Sequence, residues 1–163
     1  MGNMNLNVAI VTGDRTYGQQ LRGLLLPHAR APIRIVRDVP DLAFRTLWRS
    51  DLVLFGSDLP TRRMRKILRA LRILRAPARA IVLMRSWESV DQAVHALRHG
   101  AWALVLEDDR ERDLPQALEQ LRRDRRFLSP RLIVPMLERY RELLGELRET
   151  TGSKRSITDL LSR

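Results

Sequence analysis

The feature that most constrains this chain is an alternation of two periodicities. Five short runs rich in Val, Ile and Leu occur at Leu6 to Val11, Ile33 to Val36, Leu52 to Phe55, Ala80 to Met84 and, after Gly100, Ala103 to Leu106. Short apolar runs without strict alternation are what a strand buried on both faces requires, the usual state in a parallel sheet covered by helices. Each run is followed by a helical stripe: Leu21, Leu24 and Leu25; Leu42, Ala43 and Leu47; Ile67, Leu68, Leu71 and Leu74; Val90, Ala93, Val94 and Leu97; Leu114, Ala117, Leu118 and Leu121. Strand then helix, five times over, predicts a doubly wound α/β domain with a five-stranded parallel sheet. Ligands of such sheets bind at the carboxyl ends of the strands, so the positions to inspect follow Val11, Phe55, Leu83 and Leu106.

Local signals set the boundaries. Ser86 or Ser89 is a candidate cap for the fourth helix, His99 and Gly100 close it, and Asp113 followed by Pro115 is expected to open the fifth. Ser129-Pro130 then restarts a helix that is expected to run to about Thr150. Along it Ile133, Leu137, Tyr140, Leu144 and Leu147 follow a 4-3-4-3 spacing, a narrow seam that suits either docking on its own domain or pairing with a second copy. Pro135 removes one hydrogen bond near the start of this helix. The stretch TTGSKRS, residues 150–156, reads as a flexible linker. The division is therefore a domain over 1–128, a C-terminal helix over 129–150 and a linker over 151–163.

Composition excludes several classes. The chain has no cysteine, so it has neither disulfides nor thiolate chemistry. No stretch approaches the roughly 20 apolar residues of a membrane span, and a soluble, cytoplasmic protein with no membrane contact is expected. Its 30 basic residues against 19 acidic ones give a net charge of +11, and all but two of the basic residues are arginine. Such a field attracts polyanions, although a GC-rich coding sequence gives the same arginine bias. The densest patch is the third helix, where Arg62, Arg65, Lys66, Arg69, Arg72 and Arg75 lie opposite the apolar stripe with no acid between Leu59 and Trp87. That stripe suits phosphate tracking, an acidic partner or a plain solvated face.

Three windows resemble the response-regulator receiver family, particularly its NarL/LuxR branch. DLVLFGSDLP at 51–60 is similar to the third strand and its loop, LRHGAWALVLED at 97–108 to the fourth helix end and fifth strand, and RFLSPRL at 126–132 to the exit of the fifth helix. The resemblance covers about residues 6 to 130, and Leu97 to Ala101 with Leu59-Pro60 carries most of it. It implies a CheY-like, flavodoxin-like fold with an extra C-terminal helix. The linker and the terminal ITDLLSR resemble the segment that leads into a helix-turn-helix domain, so DNA contact is expected through a C-terminal domain missing from these residues.

The resemblance also implies a chemistry, and this sequence lacks its residues. Receivers accept a phosphoryl group on an aspartate at the end of the third strand, with Mg²⁺ neutralising the developing charge. Thr12 and Gly13 stand where two acids hold the metal, with Asp14 displaced by one; Gly56 stands at the nucleophile's position. Met84 replaces the hydroxyl residue after the fourth strand, Glu107 the lysine after the fifth, and Leu104 the switch aromatic. Losing the acids and the lysine together is electrostatically consistent, since either alone would leave uncompensated charge. Glu107 then needs a partner, for which Arg85 is the candidate. Asp14 and Asp58 lie in the right loops, but a shift of one or two residues is expected to turn them away into cap or turn roles.

Other chemistry is thin. His95 and His99 lie four apart on a helix without a third metal ligand, Thr12-Gly13-Asp14 lacks the glycine spacing and lysine of a phosphate loop, and Trp48, Trp87 and Trp102 read as packing residues. No cofactor or metal is expected. Three functional classes follow: the pseudo-receiver of an atypical response regulator controlling transcription, switched by homodimer geometry, a protein partner or a small ligand instead of phosphate; a stand-alone receiver-like adaptor; and, with least support, an enzyme.

Overall fold

The apolar runs become strands because each contributes alternate residues to two cores at once. The structure, a computed structural model, describes residues 6–29, 32–37, 41–85 and 90–161. The strands are β1 (Val8–Thr12), β2 (Ile33–Arg37), β3 (Leu52–Phe55), β4 (Arg79–Met84), β5 (Ala101–Leu106) and a two-residue β6 (Phe127–Leu128). They form one parallel sheet in the order β2-β1-β3-β4-β5-β6. The helices are α1 (Arg15–Leu25), α2 (Asp41–Trp48), α3 (Thr61–Ile73), α4 (Val90–Arg98), α5 (Arg110–Arg122) and α6 (Pro130–Leu161).

Val8, Ile10, Leu52, Leu54, Ile81, Leu83, Ala103 and Val105 pack against Leu21 and Leu25 of α1 and Leu114, Leu118 and Leu121 of α5. The alternate residues, among them Val11, Phe55, Val82 and Leu104, pack on the other face against Leu47 of α2, Met64, Ile67, Leu68 and Leu71 of α3, and Ala93 and Ala96 of α4. The period of two in a strand thus explains why the central strands carry no polar alternation. The chain reverses its winding between β1 and β3, which opens a crevice at their carboxyl ends.

Five of the six strands are the expected ones. The sixth was not expected, because a two-residue pairing of Phe127 and Leu128 with Ala103 and Leu104 carries no periodicity of its own. The start of the fifth helix is also corrected. It begins at Arg110, not at Asp113, and Asp113 is wholly buried, where its Oδ2 accepts from Ser129 Oγ at 2.8 Å. Ser129 Oγ in turn accepts from the backbone N–H of Leu106 at 2.9 Å. Gly100, at φ +98, closes α4 as expected, in the left-handed conformation that glycine adopts without steric cost. The candidate caps Ser86 and Ser89, and Trp87, lie outside the described residues.

The helix expected to stop near Thr150 continues to Leu161, through the segment read as a linker. No proline follows Pro135, and a single glycine, Gly152, together with Thr and Ser costs only about 1 kcal/mol or less per position, which does not oblige a helix to end. α6 docks on its own domain through Leu132, which is fully buried, through Met136, and through an Arg139–Asp91 ion pair at 2.9 Å to α4. The 4-3-4-3 seam faces elsewhere: Ile133, Leu137, Tyr140, Leu144 and Leu147 are all exposed or at the edge of exposure, from 36% to 62%. No described helix is long and apolar enough to cross a membrane.

Candidate functional site

Thr12, Gly13, Asp14, Gly56, Met84 and Glu107 all lie at the carboxyl edge of the sheet, where β1, β3, β4 and β5 end. Asp14 does what its position predicts: its Oδ1 accepts from the N–H groups of Thr16 and Tyr17, capping α1. Asp58 departs from expectation. Its carboxylate turns into the crevice, where Oδ2 accepts from Gly13 N at 2.7 Å, Asp14 N at 3.0 Å and Thr12 Oγ1 at 2.7 Å. The cause is local donor geometry: the start of α1 and the loop before it present two N–H groups and a hydroxyl toward one point, a cradle suited to an anion. The Asp58 carboxylate supplies that anion from within the chain. Its other oxygen, Oδ1, is buried without a hydrogen-bond partner among the described residues.

Gly56 is the floor of this arrangement. A β-carbon there would lie 2.5 Å from Asp58 Oδ1 and 2.7 Å from Tyr17 Cε1, closer than real side chains allow. The space a side chain at this position would occupy is therefore already filled. Tyr17 reaches it from the first turn of α1, and its hydroxyl donates to Glu107 Oε2 and accepts from Ser57 N at 3.3 Å. Burial, then the hydrogen bond to Glu107, push the Tyr17 phenol up to about 12.

Glu107 does not pair with Arg85. It is held by Tyr17 and by Arg110, three residues along, whose guanidinium also lies 5.6 Å from the Tyr17 ring centroid. Arg85 instead donates from Nε to the Ser57 carbonyl at 2.9 Å, because the β4 exit points it at the β3 loop rather than across β5. Met84 and Leu104 are buried and present no donor or acceptor to the crevice. Beside Gly56, a cleft of about 390 Å³ is bounded by Ser57, Asp58, Leu59, Met64, Met84 and Arg85.

This donor set does not fit Mg²⁺. The ion takes near-octahedral oxygen coordination, usually with one or two carboxylates in direct contact. Here Asp58 Oδ2 is saturated by three donors, Glu107 is engaged by Arg110 and Tyr17, Gly56 has no side chain to contribute, and Asp58 Oδ1 is left as a single carboxylate oxygen with no second acid beside it. No group of three or more acidic or histidine side chains converges among the described residues.

Searches by structure place this architecture. The chain superposes with a TM-score of 0.68 on the isolated receiver domain of RcsB from Salmonella enterica serovar Typhimurium in its apo form, at 16% identity over 82% of this chain and 99% of that one. The chain has the receiver fold. A two-component response regulator of the LuxR family from Aurantimonas sp. SI85-9A1 gives a TM-score of 0.63 at 23% identity, covering 83% of this chain and 98% of that one. In a structure of two RcsB dimers bound to two parallel DNAs, the match has a TM-score of 0.67 at 15% identity over 81% of this chain and 68% of that one. No protein-family model and no curated protein matches the chain.

The remaining candidates are scattered by the fold. Arg62, Lys66, Arg69 and Arg72 are exposed and Arg65 half-buried along α3, from its crevice end at Arg62 toward the amino edge, where the exposed Arg75 follows the helix. Trp102 lies between Arg79 and Arg126, 4.5 and 5.0 Å from its ring centroid, and its Nε1 donates to the Arg125 carbonyl. Trp48 is at the surface end of α2, and His95 and His99 are partly buried on and just after α4. Tyr17 was missed. The available signal was an aromatic three residues after the cap Asp14, in an otherwise polar first turn facing the strand ends.

Proposed function

We propose that the chain is a pseudo-receiver: a phosphorylation-independent regulatory domain of an atypical response regulator that controls transcription. One observation carries the reading. The position of the phosphoryl acceptor is Gly56, and the volume above it is occupied by the chain's own Asp58 carboxylate and Tyr17 ring. The backbone donors that would greet an incoming anion already bind Asp58 Oδ2. On this reading Thr12, Gly13, Asp14, Gly56, Met84 and Glu107 are a vestigial phosphorylation pocket, closed by an internal carboxylate.

Signal then enters by contact. The outward seam of α6, beginning with Ile133, Leu137, Tyr140 and Leu144, has the spacing with which two helices pair, so a homodimer is its natural occupant. Its continuation to Leu161 suits a relay toward a DNA-binding unit. One RcsB match is a structure of two dimers bound to two parallel DNAs, which supports the same arrangement here. Incubation with acetyl phosphate and Mg²⁺ tests the reading: intact-mass spectrometry should show no added phosphoryl group. An aspartyl adduct, acid-stable and hydroxylamine-labile, would overturn it.

A further inference from the structure

The strongest unexplained feature lies at the opposite, amino edge of the sheet. Between Leu59 and Trp87 the sequence places nine basic residues and no acidic one. Arg79 pairs with Asp124, and arginines of α5, α6 and the turn after α5 pair with acids near them: Arg110, Arg112, Arg122, Arg123, Arg131 and Arg139. Among the described residues Arg72, Arg75, Arg98 and Arg126 pair with no carboxylate, and all four converge on one concavity.

That concavity, of about 410 Å³, lies where α3 and α4 end. Beneath it lie the buried Leu68, Leu71 and Ala80, and the apolar surface that reaches it comes from the half-buried Ala76, Ala78 and Leu97. Its rim holds the four arginines and His99, with no acid in the lining. Two helix carboxyl ends also face it, and each carries about half a negative charge. Arg72 already answers one of them, donating to the Arg98 carbonyl at 2.7 Å. Four guanidiniums against two half charges leave a surplus of about three positive charges at the rim.

The backbone gives a second, independent indication. Arg75 follows the end of α3 at φ +52, closing the helix with Ala76 N–H on the Leu71 carbonyl at 2.9 Å. Glycine is the residue that takes this conformation without steric cost, and a long side chain there is strained. The other such residue, Asp124 at φ +59, is a short polar side chain of the tolerated kind and pairs with Arg79. Arg75 is neither, so this helix end keeps its modest backbone strain at a long cationic residue. It holds a guanidinium at the mouth of the concavity.

We infer that the pocket between the ends of α3 and α4 binds a nucleotide-like small molecule, with two or more phosphoryl groups on Arg72, Arg75, Arg98 and Arg126 and a flat apolar ring on the alanine and leucine floor. Guanidinium forks match phosphate oxygens two at a time, and a ring on the floor adds burial that inorganic phosphate cannot gain. Gly100 at the wall leaves open space, with only Arg72 Cδ within 4 Å of where its β-carbon would stand.

Calorimetric titration of the full chain with ATP as the probe, beside inorganic triphosphate and adenosine, tests this. ATP should bind saturably at one site and several-fold more tightly than triphosphate. Losing one charge-assisted contact should weaken binding about tenfold, the expectation for both Arg98→Ser and Arg75→Gly. Arg75→Gly relieves backbone strain, so its loss of affinity does not come from misfolding. Arg62→Ser removes the same charge from the far end of α3 and should change the affinity less than twofold. Equal weakening by Arg62→Ser would show a diffuse field instead of a site, and equal binding of triphosphate and ATP would remove the floor from the assignment. Either overturns the inference, as does tight binding of a DNA duplex that ATP does not displace.

Discussion

Asp58 Oδ1 stands 2.5 Å from the point where a β-carbon on Gly56 would be. The two residues therefore exclude each other's alternatives: a side chain at 56 requires Asp58 to leave its cradle of Gly13 N, Asp14 N and Thr12 Oγ1. Gly56→Asp is expected to destabilise the chain by about 2 to 4 kcal/mol through overpacking and a second carboxylate beside a partly buried one. It should not restore phosphorylation, since Thr12 and Gly13 still supply no metal ligand. Chemical denaturation and an acetyl phosphate assay on the same variant check both halves.

Asp58→Ala removes the acceptor shared by three donors, of which Thr12 Oγ1 and Asp14 N each keep a second partner and Gly13 N does not. The expected loss of stability is about 1 to 3 kcal/mol, read as a shift in the denaturant midpoint with the slope unchanged. No loss would mean that water replaces the carboxylate without cost.

The Tyr17 phenol gives a pH signature. Its pKa is raised to about 12 from the ordinary value of 10.0 by burial and by Glu107, so the unfolded chain releases this proton first as the solution becomes alkaline. The contribution is complete below pH 10 and falls away as pH rises through 12, by up to about 1.4 kcal/mol per pH unit. Tyr17→Phe should flatten stability across that window. Equal slopes for both chains would remove the linkage.

The seam on α6 makes association testable. Leu144→Asp puts a charge between Tyr140 and Leu147 in the apolar line that begins at Ile133 and Leu137, and a dimer held there should sediment as a monomer. Unchanged sedimentation would exclude this face as the interface.

Arg75→Gly should raise stability by about 1 kcal/mol by replacing a strained left-handed arginine with the residue suited to it. Thermal melting gives the sign directly. A lower melting temperature would mean that the arginine side chain repays its backbone strain within the fold.

The five main strands and the helix faces were legible because short unbroken apolar runs and a period of 3.6 residues can be counted along the chain, and the substituted strand ends were legible through the family resemblance. The seam at Ile133 to Leu147 was legible for the same reason, and its outward direction was decided only by the burial of Leu132 and Met136 on the neighbouring face. Asp58 and Tyr17 were not legible. Asp58 is turned inward by donors 44 to 46 residues earlier, and Tyr17 meets Glu107 across 90 residues. Asp113 looked like a cap because capping is local chemistry, while its partner Ser129 lies 16 residues on. Polar contacts of this kind leave no periodicity behind.

The hydroxyl of Ser129 clasps the root of the last helix to the sheet, with Leu106 on one side and buried Asp113 on the other. Leu132, Met136 and the Arg139–Asp91 pair hold the next turns as well, and beyond them residues 140–161 run on as about 33 Å of helix at roughly 1.5 Å per residue. Leverage follows from length: a swing of about 10° at that last anchor carries the far tip about 6 Å, close to one helical turn. A shift too small to notice within the sheet thus becomes a large displacement for anything attached at the end.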